Sequence, residues 1–381
     1  MGERQSGDKL RVAVVFGGRS AEHEISILSA RFVVESLDRD RFEPVLIGID
    51  KDGRWHAQDE AFLLGQARDP RLVKLDASAP EARLSPHPES DAESRPGALE
   101  IVGAAPAAID VVFPVLHGPM GEDGTIQGLF TLADVAFVGS GVLGSAVGMD
   151  KVVMKRLLRD AGLPLVEHAV VREHAWRHNK NELMLDLEEL RAGGAVFVKP
   201  ANLGSSVGVS RAKSREEVER GVEAALEYDD KIVIERGVPG VREIECAVLG
   251  NEAPEASCVG EIVVDHPDGF YSYAAKYVDE KGATVKIPAE LDAEETDRVR
   301  TLAIETFRAL ECEGLARVDF FRSNAGEIFV NEVNTMPGFT AISMYPKLWE
   351  ASGLGGKALV TRLIELAIER HARKRRRTSY G

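Results

Sequence analysis

The chain has 381 residues, 44% of them hydrophobic and 29% charged, with a formal net charge of −15. That length exceeds one ordinary core and points to two or three domains. The composition excludes a disordered chain, and the acidic balance argues against a nucleic-acid partner, because binding phosphate backbones needs a basic surface.

Cys246, Cys258 and Cys312 have no C-x-x-C spacing. They read as small core residues in a reducing compartment, neither a disulfide frame nor a zinc site. No apolar run approaches the ~20 residues of a membrane span, and "MGERQSGDKL" has no apolar secretion core. A cytoplasmic protein with no membrane partner is expected. The one basic block, "RHARKRRR", reads as a solvated helix end that complements the helix dipole.

In chain order, "LRVAVVFGG" is a buried strand that closes on a glycine pair. "SAEHEISILSARFVVESL" carries Ile25, Leu28, Phe32 and Val33 at helical spacing, and "FEPVLIGID" is the next strand. Strand–helix–strand at this spacing predicts a parallel α/β unit. Residues 66–108, rich in Pro, Ala, Asp and Arg, read as irregular connections with one short strand. "IDVVFPVLHG" is a strand, and "TIQGLFTLAD" a helix with Ile126, Leu129, Phe130 and Ala133 inward. After the short strand "VAFVGSG", "GMDKVVMKRLLRDAGLP" is a helix with Asp150 as N-cap, Gly162 past its end and Pro164 as the stop. A first domain boundary falls near Gly148. Beyond it lie "GAVFVKPANLGSSVGVSRA" (strand, glycine loop, strand), the helix "SREEVERGVEAALEY" and the strand "KIVIERGV". A third region holds strands around "REIECAVLG" and "EIVV", a long loop through "YSYAAKYV", a helix from about Ala293 to Leu310, a hairpin, and a C-terminal helix from about Gly356.

The hairpin "ARVDFFRSNAGEIFVNEVN" is the first carrier of chemistry. With Arg322 opposite Glu327, period-2 alternation sets Arg317, Asp319, Glu332 and Asn334 on one face and Asn331 on the other. Asp319 and Glu332 are then diagonal neighbours, roughly 7–8 Å apart at the backbone. Two carboxylates and an amide oxygen form a hard oxygen set suited to Mg²⁺ with phosphates completing its shell. A solvated acidic hairpin is the plain alternative.

Three further pieces bear on the choice. Lys199 closes an apolar strand before Gly204–Ser205–Ser206–Val207–Gly208, a small-residue loop whose N–H groups can approach phosphates; a simple hairpin turn would look similar, and the Walker A spacing is absent. Lys151 sits in the first turn of a helix, where the dipole disfavours a cation unless an anion lies near. Glu235 ends an apolar strand at a hinge between the second and third regions, suited to an adenine amino group, with Glu243 reaching a ribose. Taken singly, each piece has an ordinary surface reading. Together they make a nucleotide cleft between two regions. "GGRSAE" lacks the G-x-G-x-x-G spacing of a dinucleotide-binding dehydrogenase.

The motifs "FGGRSAEHEIS", "PVLHGPMGEDGTIQG", "GSGVLGSAVGMDK", "FVKPANLGSSVGVS", "YAAKY", "ARVDFF" and "NEVNTMPGFTAISMYP" span nearly the whole chain. This set resembles the ATP-grasp superfamily and, within it, the D-alanine–D-alanine ligase family. The resemblance implies an α/β, three-domain ATP-grasp architecture with a Rossmann-like N-terminal parallel sheet and ATP held between two α+β domains, over residues 1–148, 149–238 and 239–381. It implies ATP-dependent ligation of two D-alanines through an acyl phosphate for peptidoglycan precursors, with ATP, two Mg²⁺ (or Mn²⁺) and a homodimer.

Residue by residue, Asp319, Glu332 and Asn334 match the metal ligands. Lys151, Lys199 and Lys276 match the phosphate lysines, with Ser206 in the covering loop. Glu235, the Arg236–Val238 backbone, Glu243 and Asn331 fall in the nucleotide-binding set. Glu22 matches the carboxylate that holds the first D-alanine's ammonium, Ser205 and Tyr277 its partners, and His117 a nearby histidine. Arg317 and the Gly338 N–H match the oxyanion site, and Ser343 and Met344 the second substrate's carboxylate site. Met344 stands where the family often has leucine, a volume-conserving change. The "AAKY" pattern resembles the dipeptide ligases more than the relatives that join D-alanine to D-lactate. A non-catalytic nucleotide-binding regulator would be expected to lack a metal ligand or the arginine, and all are present in the sequence.

Overall fold

The computed structural model describes residues 9–67, 69–85, 98–101, 107–264 and 283–374. The first unit grows from β1 (Leu10–Gly17), α1 (His23–Ser36), β2 (Phe42–Ile49) and β3 (Trp55–Gln58). After the short α2 (Glu60–Gly65) come β4 (Ala82–Ser85), β5 (Ala98–Ile101), β6 (Ala107–Ala108) and β7 (Val111–Pro114), then α3 (Thr125–Leu132), β8 (Ala136–Phe137) and α4 (Val142–Met149). The sheet order is β3-β2-β1-β7-β8, with β1 parallel to both β2 and β7. An unbroken apolar strand suits this place, since both faces of β1 are covered. Val12, Val14 and Phe16 pack with Ile27 and Val33 of α1, whereas Ala13 and Val15 pack with Ile126 and Phe130 of α3. Gly17 ends β1 at φ +89°, where a Cβ would lie 2.3 Å from the Ile49 carbonyl oxygen.

Strand order reverses between β1 and β7. The loops that leave their carboxyl ends carry Glu22 and His117, so these residues meet at the position where open α/β sheets bind ligands. In the 66–108 stretch, β4, β5 and β6 form a separate antiparallel sheet, more than the single short strand expected. These strands are only two to four residues long, too short for their period-2 pattern to stand out. Leu129, expected inward on α3, is exposed.

The second unit comprises α5 (Lys151–Asp160), β9 (His168–Arg172), α6 (Glu173–Arg191), β10 (Val196–Pro200), β11 (Ser210–Ala212), α7 (Arg215–Ala225) and β12 (Lys231–Arg236). Asp150 caps α5 by accepting from the Val152 and Val153 N–H groups, each at 3.0 Å. The antiparallel sheet runs β11-β10-β12-β9, and Trp176, Met184, Val218 and Val222 of α6 and α7 pack on one face. Helix α6 was not anticipated from the sequence. Its pattern is interrupted by a non-helical Asn179, which blurs the 3.6-residue period.

The third unit holds β13 (Arg242–Gly250), β14 (Glu255–Val264), β15 (Ala283–Lys286), α8 (Ala293–Ala309), β16 (Gly314–Arg322), β17 (Ile328–Asn334), α9 (Met344–Ala351) and α10 (Gly356–Lys374). Its sheet order is β15-β14-β13-β16-β17. Val299, Ala303 and Phe307 of α8 cover one face. Tyr345, Leu348, Leu363 and Ile364 of α9 and α10 form, on the other, a core continuous with that of the first sheet.

The hairpin register differs from expectation. Arg322 pairs with Ile328, and a bulge beside Phe320 sets Asp319 directly opposite Glu332 and Arg317 opposite Asn334. The extra residue is Asn331, and so Asn331 and Glu332 both line the same cleft instead of opposite faces. The basic C-terminus is also more than a solvated helix end. Arg370 is buried, donating to the Gly139 and Phe137 carbonyls, and Arg373 and Lys374 pair with Glu313. Helical spacing had turned these cations toward another element, which the linear charge run does not disclose.

Candidate active site

Two cavities meet along the third sheet. The first lies between β10 and β12 on one side and β13, β16 and β17 on the other. Lys151, Lys199, Ser206, Glu235, Val238 and Glu243 line it, together with Arg236, Asn331 and Asp319. The second, about 530 Å³, opens between the first sheet and the loop after β17. Glu22, His117, Ser205, Asn334, Gly338, Ser343 and Met344 line it. Gly204, Glu245, Arg317 and Glu332 belong to both cavities. Lys276 and Tyr277, expected here from the sequence, lie outside the described residues.

In the first cavity Lys199 Nζ donates to Glu235 Oε2 at 2.7 Å and to Asn331 Oδ1 at 3.4 Å, over the Phe321 ring. Burial alone would lower the Lys199 pKa; the charges of Glu235, Glu332 and Glu243 outweigh it and raise it. Burial likewise opposes ionisation of Glu235, yet Lys155 and Lys199 hold its carboxyl far below the usual range. Lys155, a residue that sequence reasoning passed over, is fully buried with Nζ 2.7 Å from Glu235 Oε1. Its signal was a lysine on the apolar face of α5, beside Met154 and Leu158. Lys151 Nζ donates to the Leu203 carbonyl at 2.7 Å and lies 3.4 Å from Glu332 Oε2. Arg236 turns its side chain to Glu167 and the Leu190 carbonyl.

Between the cavities, Ser205 and Ser206 adopt φ of +53° and +58°. Side-chain-bearing residues held in this left-handed region cost of order 1–3 kcal/mol each and cluster at ligand clamps. The strain lets successive residues serve different cavities, Ser206 the first and Ser205 the second.

Arg317 is the shared wall. Its Nε and Nη2 each donate to an Asp319 oxygen at 2.7 Å, and Nε lies 2.9 Å from Glu245 Oε2. Desolvation opposes its charge, but Asp319 and Glu245 raise its pKa further above the ordinary arginine value. Asn334 Nδ2 donates to Asp319 Oδ2 at 2.9 Å. Asp319, Glu332 and Asn334 thus converge as an oxygen-rich set that already draws cationic groups. Among the described residues, no cluster of three His, Cys, Asp or Glu side chains could hold a metal by itself. A divalent ion held by these two carboxylates and an amide takes its remaining oxygens from phosphate and water, and the set fits that chemistry.

In the second cavity, Glu22 occupies the N-cap position of α1, while its neighbour Glu24 is taken by Lys51 at 2.7 Å. His117 is buried. Ser29 Oγ donates to the Ile25 carbonyl, accepts from the Phe339 N–H and lies 3.2 Å from His117 Nε2. His117 Nδ1 faces the Met336 carbonyl at 3.1 Å and donates to it. Burial disfavours a charged ring, but Glu122, 3.8 Å from Nδ1, and Glu22 outweigh burial and raise the pKa. Burial in turn pushes the Glu122 carboxyl up. Ser29 and Glu122 were missed in the sequence, since neither stands out until the fold closes around His117.

At the far end of this cavity, Ser343 precedes α9, and its hydroxyl accepts from the Thr340 N–H at 3.0 Å. The first N–H groups of α9 have no partner within the helix, a setting that favours a carboxylate. The Met344 side chain is buried in the core beneath, against Gly260.

The chain matches the D-ala D-ala ligase N-terminus family over residues 11–140 and the D-ala D-ala ligase C-terminus family over residues 157–365. It is 50% identical to a D-alanine–D-alanine ligase of Shouchella clausii over 96% of both chains. It is 48% identical to D-alanine–D-alanine ligase A of Escherichia coli K12, over 96% of this chain and 97% of the relative. Among solved structures, the D-alanine–D-alanine ligase from Coxiella burnetii superposes with a TM-score of 0.81 at 38% identity, covering 96% of both chains. A D-Ala:D-Ser ligase from Enterococcus faecalis has the same TM-score at 32% identity, over 94% of this chain and 100% of that one. The fold is the three-domain ATP-grasp architecture, and the chain belongs to the D-alanine–D-alanine ligase family.

Proposed function

We propose that this protein joins two D-alanine molecules into D-alanyl-D-alanine at the expense of ATP, for peptidoglycan precursor synthesis. The observation that carries the reading is the shared wall: Arg317 and Glu332 line the lysine-rich cleft and the Glu22–His117 cavity together. A γ-phosphate in the first meets an amino-acid carboxylate in the second at that wall.

Glu22 takes the ammonium of the first D-alanine, supported by Ser205 and Tyr277, with His117 nearby. The substrate carboxylate attacks the γ-phosphorus, giving an acyl phosphate and ADP. Lys151, Lys199 and Lys276 spread the charge of the transferring group, and the loop with Ser206 covers it. Glu235, the Arg236–Val238 backbone, Glu243 and Asn331 seat the adenosine. Asp319, Glu332 and Asn334 would hold two Mg²⁺ ions, or Mn²⁺, which would neutralise phosphate charge. The second D-alanine docks its carboxylate at Ser343 and Met344, where α9 begins, and its free amine attacks the acyl carbon. Arg317 and the Gly338 N–H stabilise the tetrahedral oxyanion before phosphate leaves. The domain division at 148 and 238, a homodimer and a cytoplasmic location belong to the same reading. Among the described residues, no helix is long and apolar enough to cross a membrane.

The test is phosphate release from Mg-ATP with D-alanine, with L-alanine, or with D-alanine plus D-lactate, products being identified by mass spectrometry. Dipeptide from the D-isomer alone is the expected result. Ester product would reassign the second substrate, and nucleotide binding without turnover in any mixture would overturn the enzyme reading in favour of a regulator.

A further inference from the structure

Lys155 is completely buried on α5, on the side where Val152 packs with Val233 of β12. An ammonium taken out of water is costly, and burial lowers its pKa against the pull of Glu235. Stability does not account for it, because a buried lysine–glutamate pair generally gains little over an apolar pair of the same volume.

Charge balance does not account for it either. Lys199 already bonds Glu235 Oε2 at 2.7 Å, so one buried carboxylate has two lysines. The two differ in what surrounds them. Lys155 is enclosed, whereas Lys199 lines the cleft, with its head over the Phe321 ring. Lys199 is thus the lysine that the phosphates of a nucleoside triphosphate can draw away from Glu235. Lys155 has nowhere to turn and remains.

The two Glu235 oxygens differ in what they can meet. Oε1 is shut off from solvent, 2.7 Å from the enclosed Lys155 Nζ. Oε2 is the oxygen that Lys199 holds, so Oε2 is left to accept from an N–H donor when Lys199 turns away. An ionised carboxylate only accepts; a protonated one can also donate.

We propose that Lys155 is a positioning residue for nucleotide selection: it keeps Glu235 an ionised, acceptor-only carboxylate after Lys199 has turned to the phosphates. The cleft then takes 6-aminopurine nucleotides, which present an N–H donor, and rejects 6-oxopurine nucleotides, which present an acceptor. This rests on the reading of Glu235 as the base contact.

The experiment compares kcat/KM for ATP and inosine triphosphate in the wild-type enzyme, Lys155→Met, Glu235→Gln and the double variant, with KM for D-alanine in each. Lys155→Met should reduce the preference for ATP at least ~10-fold through KM for the nucleotide, with KM for D-alanine within about twofold. Glu235→Gln should reduce it as well, and Lys155→Met should add nothing in the Glu235→Gln background. An unchanged ratio in Lys155→Met beside a collapsed one in Glu235→Gln overturns the role of Lys155 and leaves the base contact standing. An unchanged ratio in Glu235→Gln overturns both. The double variant removes both charges of the Lys155–Glu235 pair together, so it decides the matter even where Lys155→Met fails to fold: a further loss of preference beyond Glu235→Gln alone overturns action through Glu235.

Discussion

Arg317 presents the Nε–Nη2 edge of its guanidinium to Asp319 as a bidentate pair, with Glu245 Oε2 2.9 Å from Nε. Lysine offers one point charge and no fork, so Arg317→Lys is not a conservative change at this position. It should lower kcat about 10²-fold or more with little change in KM for ATP, measured by steady-state kinetics. His117 gives a pH prediction whose sign follows from its raised pKa. The charged ring's contribution to stability is fully present below the ordinary histidine value and is lost as pH rises through the higher folded value. The difference in Tm between wild type and His117→Asn should therefore be largest near about pH 6 and shrink toward about pH 9 in a thermal-unfolding series.

Helix α5 begins at Asp150, which does two jobs. It accepts from two N–H groups of the first turn and takes the Lys231 ammonium. A lost N-cap costs about 1 kcal/mol, and stranding a buried lysine adds to that. Asp150→Ala should thus lose about 2–4 kcal/mol in a urea titration, above the usual cap value. The cap and its helix were plain in the sequence because they depend on neighbours in the chain. The β16–β17 bulge was not. The turn sequence named the hairpin, and Arg317, Asp319, Glu332 and Asn334 were grouped correctly on one face. The extra residue at Asn331 is decided by pairing with β16 and by the cleft that both Asn331 and Glu332 line.

Across the whole molecule, α10 ties the third unit to the first. Arg370 donates to two carbonyls at the end of β8, and its guanidinium lies 4.1 Å from the Phe137 ring centroid. Burial lowers its pKa to about 10. Arg370→Ala leaves two buried acceptors without donors and should cost about 2–4 kcal/mol by thermal unfolding. Chelation of divalent metal should stop turnover, and Mg²⁺ or Mn²⁺ should restore it, read as phosphate release.

The sequence by itself determined the family, the α/β order of elements, and most of the candidate residues that line the two cavities, because motif spacing and hydrophobic period are written along the chain. Only the tertiary structure decided what those groups touch. The ring nitrogens of His117 meet Ser29 and Met336, far from it in sequence. The buried lysine behind Glu235, the second role of the basic C-terminus and the strand bulge depend in the same way on charges and backbone brought together from distant segments. Burial sets the energy of such contacts, and burial is a property of the packed chain rather than of any stretch of it.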